Sequence, residues 1–174
     1  MHNVNRINSA ILTASVVLFG VLLAGEAAEQ TGSTLKSQLI GTWILVSNYT
    51  QREDGTKFDT FGPNPVGIIR LDADGRMFLH EMRSDLPKFA LNNRQEGTTE
   101  ENKAVVQGSI SYFGTYTVDE GKKTLSFHIQ ACSFPNWSGT DQKRSFTLTE
   151  DKMTWSAASG SSGKPIHAVW KRAS

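Results

Sequence analysis

The feature that most constrains this chain is a rhythm of short β-branched and aromatic runs broken by compact Asp/Gly turns. Residues 66–71 and 77–82 flank Asp72-Ala73-Asp74-Gly75, a hairpin signal because glycine accepts the positive φ such turns demand. Residues 111–118 and 124–132 flank Asp119-Glu120-Gly121, and residues 144–149 and 153–156 flank Glu150-Asp151-Lys152. Residues 40–49 open the series, ending before Arg52-Glu53-Asp54-Gly55, and residues 166–170 close it after the Gly/Ser-rich loop 159–163. This spacing predicts about eight strands joined mostly in sequence order. Thr98 and Glu101 stand at capping-box spacing, so one short helix is expected to about residue 107, with Gly108 as its stop. Ala104, Val105 and Gly108 would give that helix a narrow buried stripe, and a further helical turn is expected at 35–39.

Antiparallel strands in sequence order bury one face either as a sandwich or as a closed barrel. Closure removes exposed edges, whereas sandwiches usually need longer crossover connections than these turns provide. The expected fold is therefore all-β: an eight-stranded antiparallel up-and-down β-barrel with one short helix between strands. At about eight strands the interior is either filled by side chains or holds one small ligand.

Charge and motifs narrow the function. The chain has 174 residues and a net charge of +1, so it carries no field that would recruit nucleic acid. The single cysteine, Cys132, excludes an intramolecular disulfide and a Cys-based zinc site. Gly160-Ser161-Ser162-Gly163 lacks the spacing of a nucleophile elbow, and no phosphate-cradling glycine loop occurs. His80, His128 and His167 are scattered, so neither a metal nor a cofactor is expected. Asn48-Tyr49-Thr50 and Asn136-Trp137-Ser138 match the glycosylation sequon, which matters only on a eukaryotic secretory route.

Residues 1–27 read as an export signal. Arg6 precedes the uncharged apolar run 10–25, and Gly25-Glu26-Ala27 places small residues at cleavage spacing before Ala28. An uncleaved spanning helix would want about 20 apolar residues, and this run is shorter and holds Thr13 and Ser15. The expected organisation is a signal peptide at 1–27, a flexible lead-in at 28–35 and a barrel at 36–172. After cleavage no integral membrane segment would remain, and the protein would be secreted or periplasmic. Composition says nothing of oligomeric state.

At Gly41-Thr42-Trp43, opening the first strand, the chain resembles a lipocalin. More of the chain is similar to the microbial lipocalin-like domain proteins. The similarity runs through Leu39-Ile40-Gly41-Thr42-Trp43, Phe61-Gly62-Pro63-x-Pro65-x-Gly67, Asp74-Gly75-Arg76-Met77, Tyr112-Phe113-Gly114-Thr115-Tyr116, and residues 134–142 (Phe-Pro-Asn-Trp-x-Gly-Thr-Asp-Gln). The resemblance implies a lipocalin-type barrel whose floor is Trp43, with Arg172 or Lys171 packed over it as a cation–π partner. It implies no particular ligand or reaction, because a fold carries no function by itself.

The candidate ligand-binding residues are Tyr112, Tyr116, His128, Phe61, Phe134, Trp137 and Arg144; the candidate barrel-closing residues are Gly41, Trp43 and Arg172. Tyrosine joins a large apolar body to a polar tip, which suits a cavity wall. The rigid loops bearing Phe61, Phe134 and Trp137 either frame a mouth or plug an end. Among the strand arginines Arg70, Arg83 and Arg144, one facing inward would meet a ligand carboxylate. His80 shares a face with Phe78 and Met82 and reads as a hydrogen-bonded, buried histidine. His128 shares a face with Ser126 and Gln130, which is the outer face if Phe127 and Ile129 point inward. With the 119–121 turn centred near residue 121, however, Tyr116 falls opposite about residue 126 and diagonal to His128 on one side of the sheet. Gly114 would then leave room for a ligand beside His128.

Three functions fit these readings. The first is an exported barrel that binds one small hydrophobic or amphipathic molecule. The second is a cofactor-free isomerase or cyclase, with Tyr116 and His128 as acid and base. The third is a structural or interaction barrel with a filled core.

Overall fold

The structure is a computed structural model that describes Met1 and residues 33–174. The export signal expected at 1–27 and the lead-in up to residue 32 fall, Met1 aside, outside the described residues. Thr34 caps helix α1 (Leu35–Leu39), its hydroxyl accepting from the Ser37 N–H. The strands are β1 (Gly41–Gln51), β2 (Lys57–Asp59), β3 (Pro65–Leu71), β4 (Arg76–Arg83), β5 (Ser109–Asp119), β6 (Thr124–Cys132), β7 (Asp141–Leu148), β8 (Lys152–Ala157) and β9 (Ile166–Arg172). Helix α2 (Thr99–Gly108) lies between β4 and β5. Among the described residues no helix is long and apolar enough to cross a membrane.

From β3 onward each strand pairs antiparallel with the next, and β9 returns to β1, so eight strands close into a barrel. The ninth, β2, pairs only with the far end of β1, Tyr49 opposite Asp59. It was not legible in advance because all three of its residues are exposed and no apolar alternation marks them. Arg52 over Phe58 and Lys57 over Tyr49 hold this flap by cation–π contact.

Period-2 alternation decides which side chains fill the barrel. Ile69, Leu71, Met77, Leu79, Leu125, Phe127 and Ile129 point inward and are essentially buried. Two bulges interrupt the alternation, one in β1 between Leu45 and Ser47, the other in the β5–β6 pairing at Phe113 and Gly114.

One end of the barrel is shut. Trp43 is wholly buried, and its indole N–H donates to the Leu39 carbonyl at 2.9 Å. The Arg172 guanidinium lies 4.1 Å from the Trp43 ring centroid and donates to the carbonyls of Ile40, Gln38 and Glu150. Arg172, not Lys171, is therefore the basic residue over the floor. Gly41 has φ +129°, and a Cβ there would press on that guanidinium at 3.3 Å, so the glycine is what lets α1 turn tightly into β1.

Helix α2 carries the expected reciprocal cap. Thr98 Oγ1 accepts from the Glu101 N–H, and Glu101 accepts from the Thr98 N–H. The other Glu101 oxygen accepts from the Ala90 N–H, which ties the long β4–α2 connection to the helix start.

Candidate functional site

The opposite end of the barrel is open. There β1, β4, β6 and β8 finish and β3, β5, β7 and β9 begin, and inward positions just inside this rim carry polar groups among aromatic ones. The cavity they line is partly open to solvent and has about 30 Å³ of free room, enough for roughly two waters. With the space open to solvent included, the cleft measures about 410 Å³.

Its polar cluster is built from four strands. Glu81 on β4 continues the inward set Met77 and Leu79, and Asn48 on β1 reaches it from the other side of β3. Both are about 95% removed from solvent, and the Asn48 amide donates to both carboxylate oxygens at 3.1 Å. Burial pushes the Glu81 carboxyl up to about 7, against the opposing pull of the Asn48 hydrogen bond and the Arg144 charge. Arg144 on β7 is 2% exposed. It donates to the Lys143 carbonyl at 2.9 Å and lies 5.7 Å from the Trp137 ring centroid. Among the described residues it forms no ion pair. Tyr112 on β5 is buried beside it, and burial drives its phenol far above its ordinary value, so it stays a neutral donor. Three buried side-chain polar atoms among the described residues lack any partner within the protein. Two of these, Arg144 Nε and Asn48 Oδ1, belong to residues lining this cavity.

Four of the expected ligand residues therefore meet: Phe61, Tyr112, Trp137 and Arg144 all line the cleft. Phe61 is buried, and Trp137 stands edge-on to Tyr112 with centroids 5.8 Å apart. Phe134 is not in the wall; it packs edge-on behind Trp137 at 5.9 Å and braces it. The 134–139 loop thus supplies both a lining ring and the plug behind it. Arg70 is exposed and Arg83 half-buried, and they pair with Asp72 and Asp85. His80 is half-buried on the outer face, with Nε2 3.2 Å from Met82 Sδ.

Tyr116 and His128 are not together. Tyr116 is buried near the closed end, where its hydroxyl donates to the Asp72 carbonyl at 2.9 Å. His128 is on the outer face, its side chain 57% exposed and its Nδ1 2.8 Å from Asp141 Oδ1. The cause is a one-residue difference in hairpin register. Asp119 pairs with Thr124, so Tyr116 sits opposite Phe127, not residue 126. Lys122 and Lys123 belong to the turn, Lys122 donating its N–H to Asp119 Oδ1 and Lys123 adopting φ 49°. The room expected at Gly114 is also absent. A Cβ there would collide with the His128 carbonyl, so the glycine serves close strand approach at the bulge. Tyr116 and His128 therefore lack the geometry of an acid–base pair.

Of the lining residues that the sequence reading did not name, Glu81 and Asn48 build the buried polar cluster. Glu81 was detectable as an acid on the otherwise apolar inward face of β4. Asn48 was not, because the bulge after Leu45 reverses its parity and turns it inward. Burial also removes Asn48 as a glycan acceptor. The geometry is thus a plugged floor, an open rim and a buried polar cluster between them, on strands whose order is unbroken but for the β2 flap. Comparison with known families matches residues 40–173 to a lipocalin-like domain. No curated protein matches the chain. On the barrel and on that match, which spans most of its length, the chain belongs to the lipocalin-like domain family.

Proposed function

We propose that this protein is an exported barrel that holds one small amphipathic molecule at its open end. The polar end of the molecule lies on Glu81, Asn48, Arg144 and Tyr112, and its apolar part lies against Phe61 and Trp137. The observation that carries this reading is the pair of buried, partnerless polar atoms, Arg144 Nε and Asn48 Oδ1, around one cavity. Buried polar groups left unpaired cost about 1–3 kcal/mol each, a cost that a bound molecule offsets. Export is supported by the uncharged run 10–25 and the small residues before Ala28.

A second reading is a filled barrel with no ligand, and the small free volume of about 30 Å³ favours it. Native mass spectrometry of the exported protein separates the two. A co-purifying small molecule, lost on denaturation, is the expected result. A bare mass, together with no change in tryptophan fluorescence across a panel of small amphipathic probes, would leave the filled barrel. N-terminal sequencing of the same sample is expected to begin near Ala28; an intact Met1 would remove the cleaved signal.

A further inference from the structure

We infer that the molecule held at the mouth is a small organic acid whose carboxylate is received by the Arg144 guanidinium. This rests on the binding reading above and adds the ligand's charge. A guanidinium out of water needs an anion or a full set of acceptors, because the desolvation of a buried charge is otherwise uncompensated. Among the described residues Arg144 has neither. One hydrogen bond goes to the Lys143 carbonyl and the Trp137 face lies nearby, but Nε donates to nothing. The obvious internal partner, Glu81, is engaged elsewhere: Asn48 holds both of its oxygens, and no ion pair to Arg144 forms. Among the described residues Glu81 is the one buried acid and Arg144 the one buried cation, and with Asn48 on the acid the cation is left open to the cleft.

A carboxylate matches what is missing. It is planar, offers two acceptor oxygens to the guanidinium fork, and carries the single charge that Arg144 lacks. A neutral amide or alcohol satisfies Nε but leaves the charge unpaired. A phosphate brings more negative charge than a carboxylate beside Glu81. The apolar part of the acid then meets Phe61 and Trp137 at the rim.

The proximity of Glu81 makes binding pH-dependent. Arg144 from β7 and the neutral Asn48 from β1 act on it, Tyr112 from β5 lines the same cavity, and burial holds the Glu81 carboxyl at about 7. An arriving carboxylate disfavours ionised Glu81, so the acid binds with uptake of a proton and binds more tightly as pH falls through about 7. With one proton taken up, affinity is expected to drop about tenfold between pH 6 and pH 8.

The test is tryptophan-fluorescence titration of the mature protein with benzoate and with its neutral isostere benzamide, repeated with hexanoate and hexanamide. The expected result is an acid preference of about tenfold or more at pH 6, falling towards pH 8. Arg144→Gln should abolish the preference, and Arg144→Lys should restore part of it. Glu81→Gln should flatten the pH profile by raising acid affinity at pH 8 towards its pH 6 value, because no carboxylate then opposes the ligand; it carries the test should both Arg144 variants fail the near-UV dichroism check for folding, and a profile as steep as the parent's would overturn the proposal. Amides binding as tightly as acids would overturn the organic-acid assignment and leave the binding barrel standing. Neither class binding at any pH would overturn both.

Discussion

Trp43 and Arg172 form the floor jointly. The indole is wholly buried, tied to Leu39 through its N–H and covered by a guanidinium each of whose nitrogens donates to a carbonyl. Trp43→Ala is expected to lose about 3–5 kcal/mol in denaturant unfolding, as large-to-small core changes do; a loss below about 1 kcal/mol would mean that the floor does not depend on this ring. Glu81 acts in the opposite direction. Its folded-state value of about 7 stands above the ordinary 4.5, so the folded protein binds the proton more tightly than the unfolded chain. Its contribution is therefore most favourable at low pH, declines from about pH 4.5 to about 7, and is flat above. The decline is on the order of 3 kcal/mol at 1.36 kcal/mol per unit. Glu81→Gln should be more stable than the parent at pH 8, with the difference shrinking towards pH 5. Equal stability at both pH values would show that the carboxyl is not held in its desolvated state.

The element that most shapes the site is the bulged pairing of β5 with β6. At Gly114 the two backbones approach too closely for any side chain, and the register shifts there by one residue shortly before β6 runs into the 134–139 loop. Gly114→Ala forces the strands apart and should cost at least about 1–3 kcal/mol, the range of overpacked interiors. Because Trp137 rides on the loop that follows, the variant should also red-shift its emission; wild-type stability and emission would show that the close approach is dispensable. Helix α2 and the β3–β4 hairpin were readable from local chemistry, through the Thr98/Glu101 box and the Asp72–Gly75 turn. The β5–β6 register was not. Its turn takes in Lys123 at positive φ, which nothing in a lysine signals.

For the whole molecule, closure rests on the seam between β1 and β9. Tyr49 stacks on His167 at 4.7 Å along its outer side, and Trp43 pairs with Arg172 at its floor end. Removing residues 166–174 should leave β1 and β8 with open edges and Trp43 uncovered. The expected result is a chain without cooperative unfolding or near-UV aromatic signal, and a truncated protein that still unfolds cooperatively would show that an open sheet suffices. The sequence by itself determined the strand succession, the capped helix and the floor motif, because turn chemistry, side-chain period and capping act over a few neighbouring residues. Tertiary structure alone decided which side chains meet at the mouth. Phe61, Tyr112, Trp137 and Arg144 are joined there by Glu81 and Asn48, whereas Tyr116 is carried to the floor end and His128 to the outside. A single extra residue in a bulge or turn reverses the facing of every residue beyond it, and cross-strand packing, which no local pattern records, selects where that residue falls.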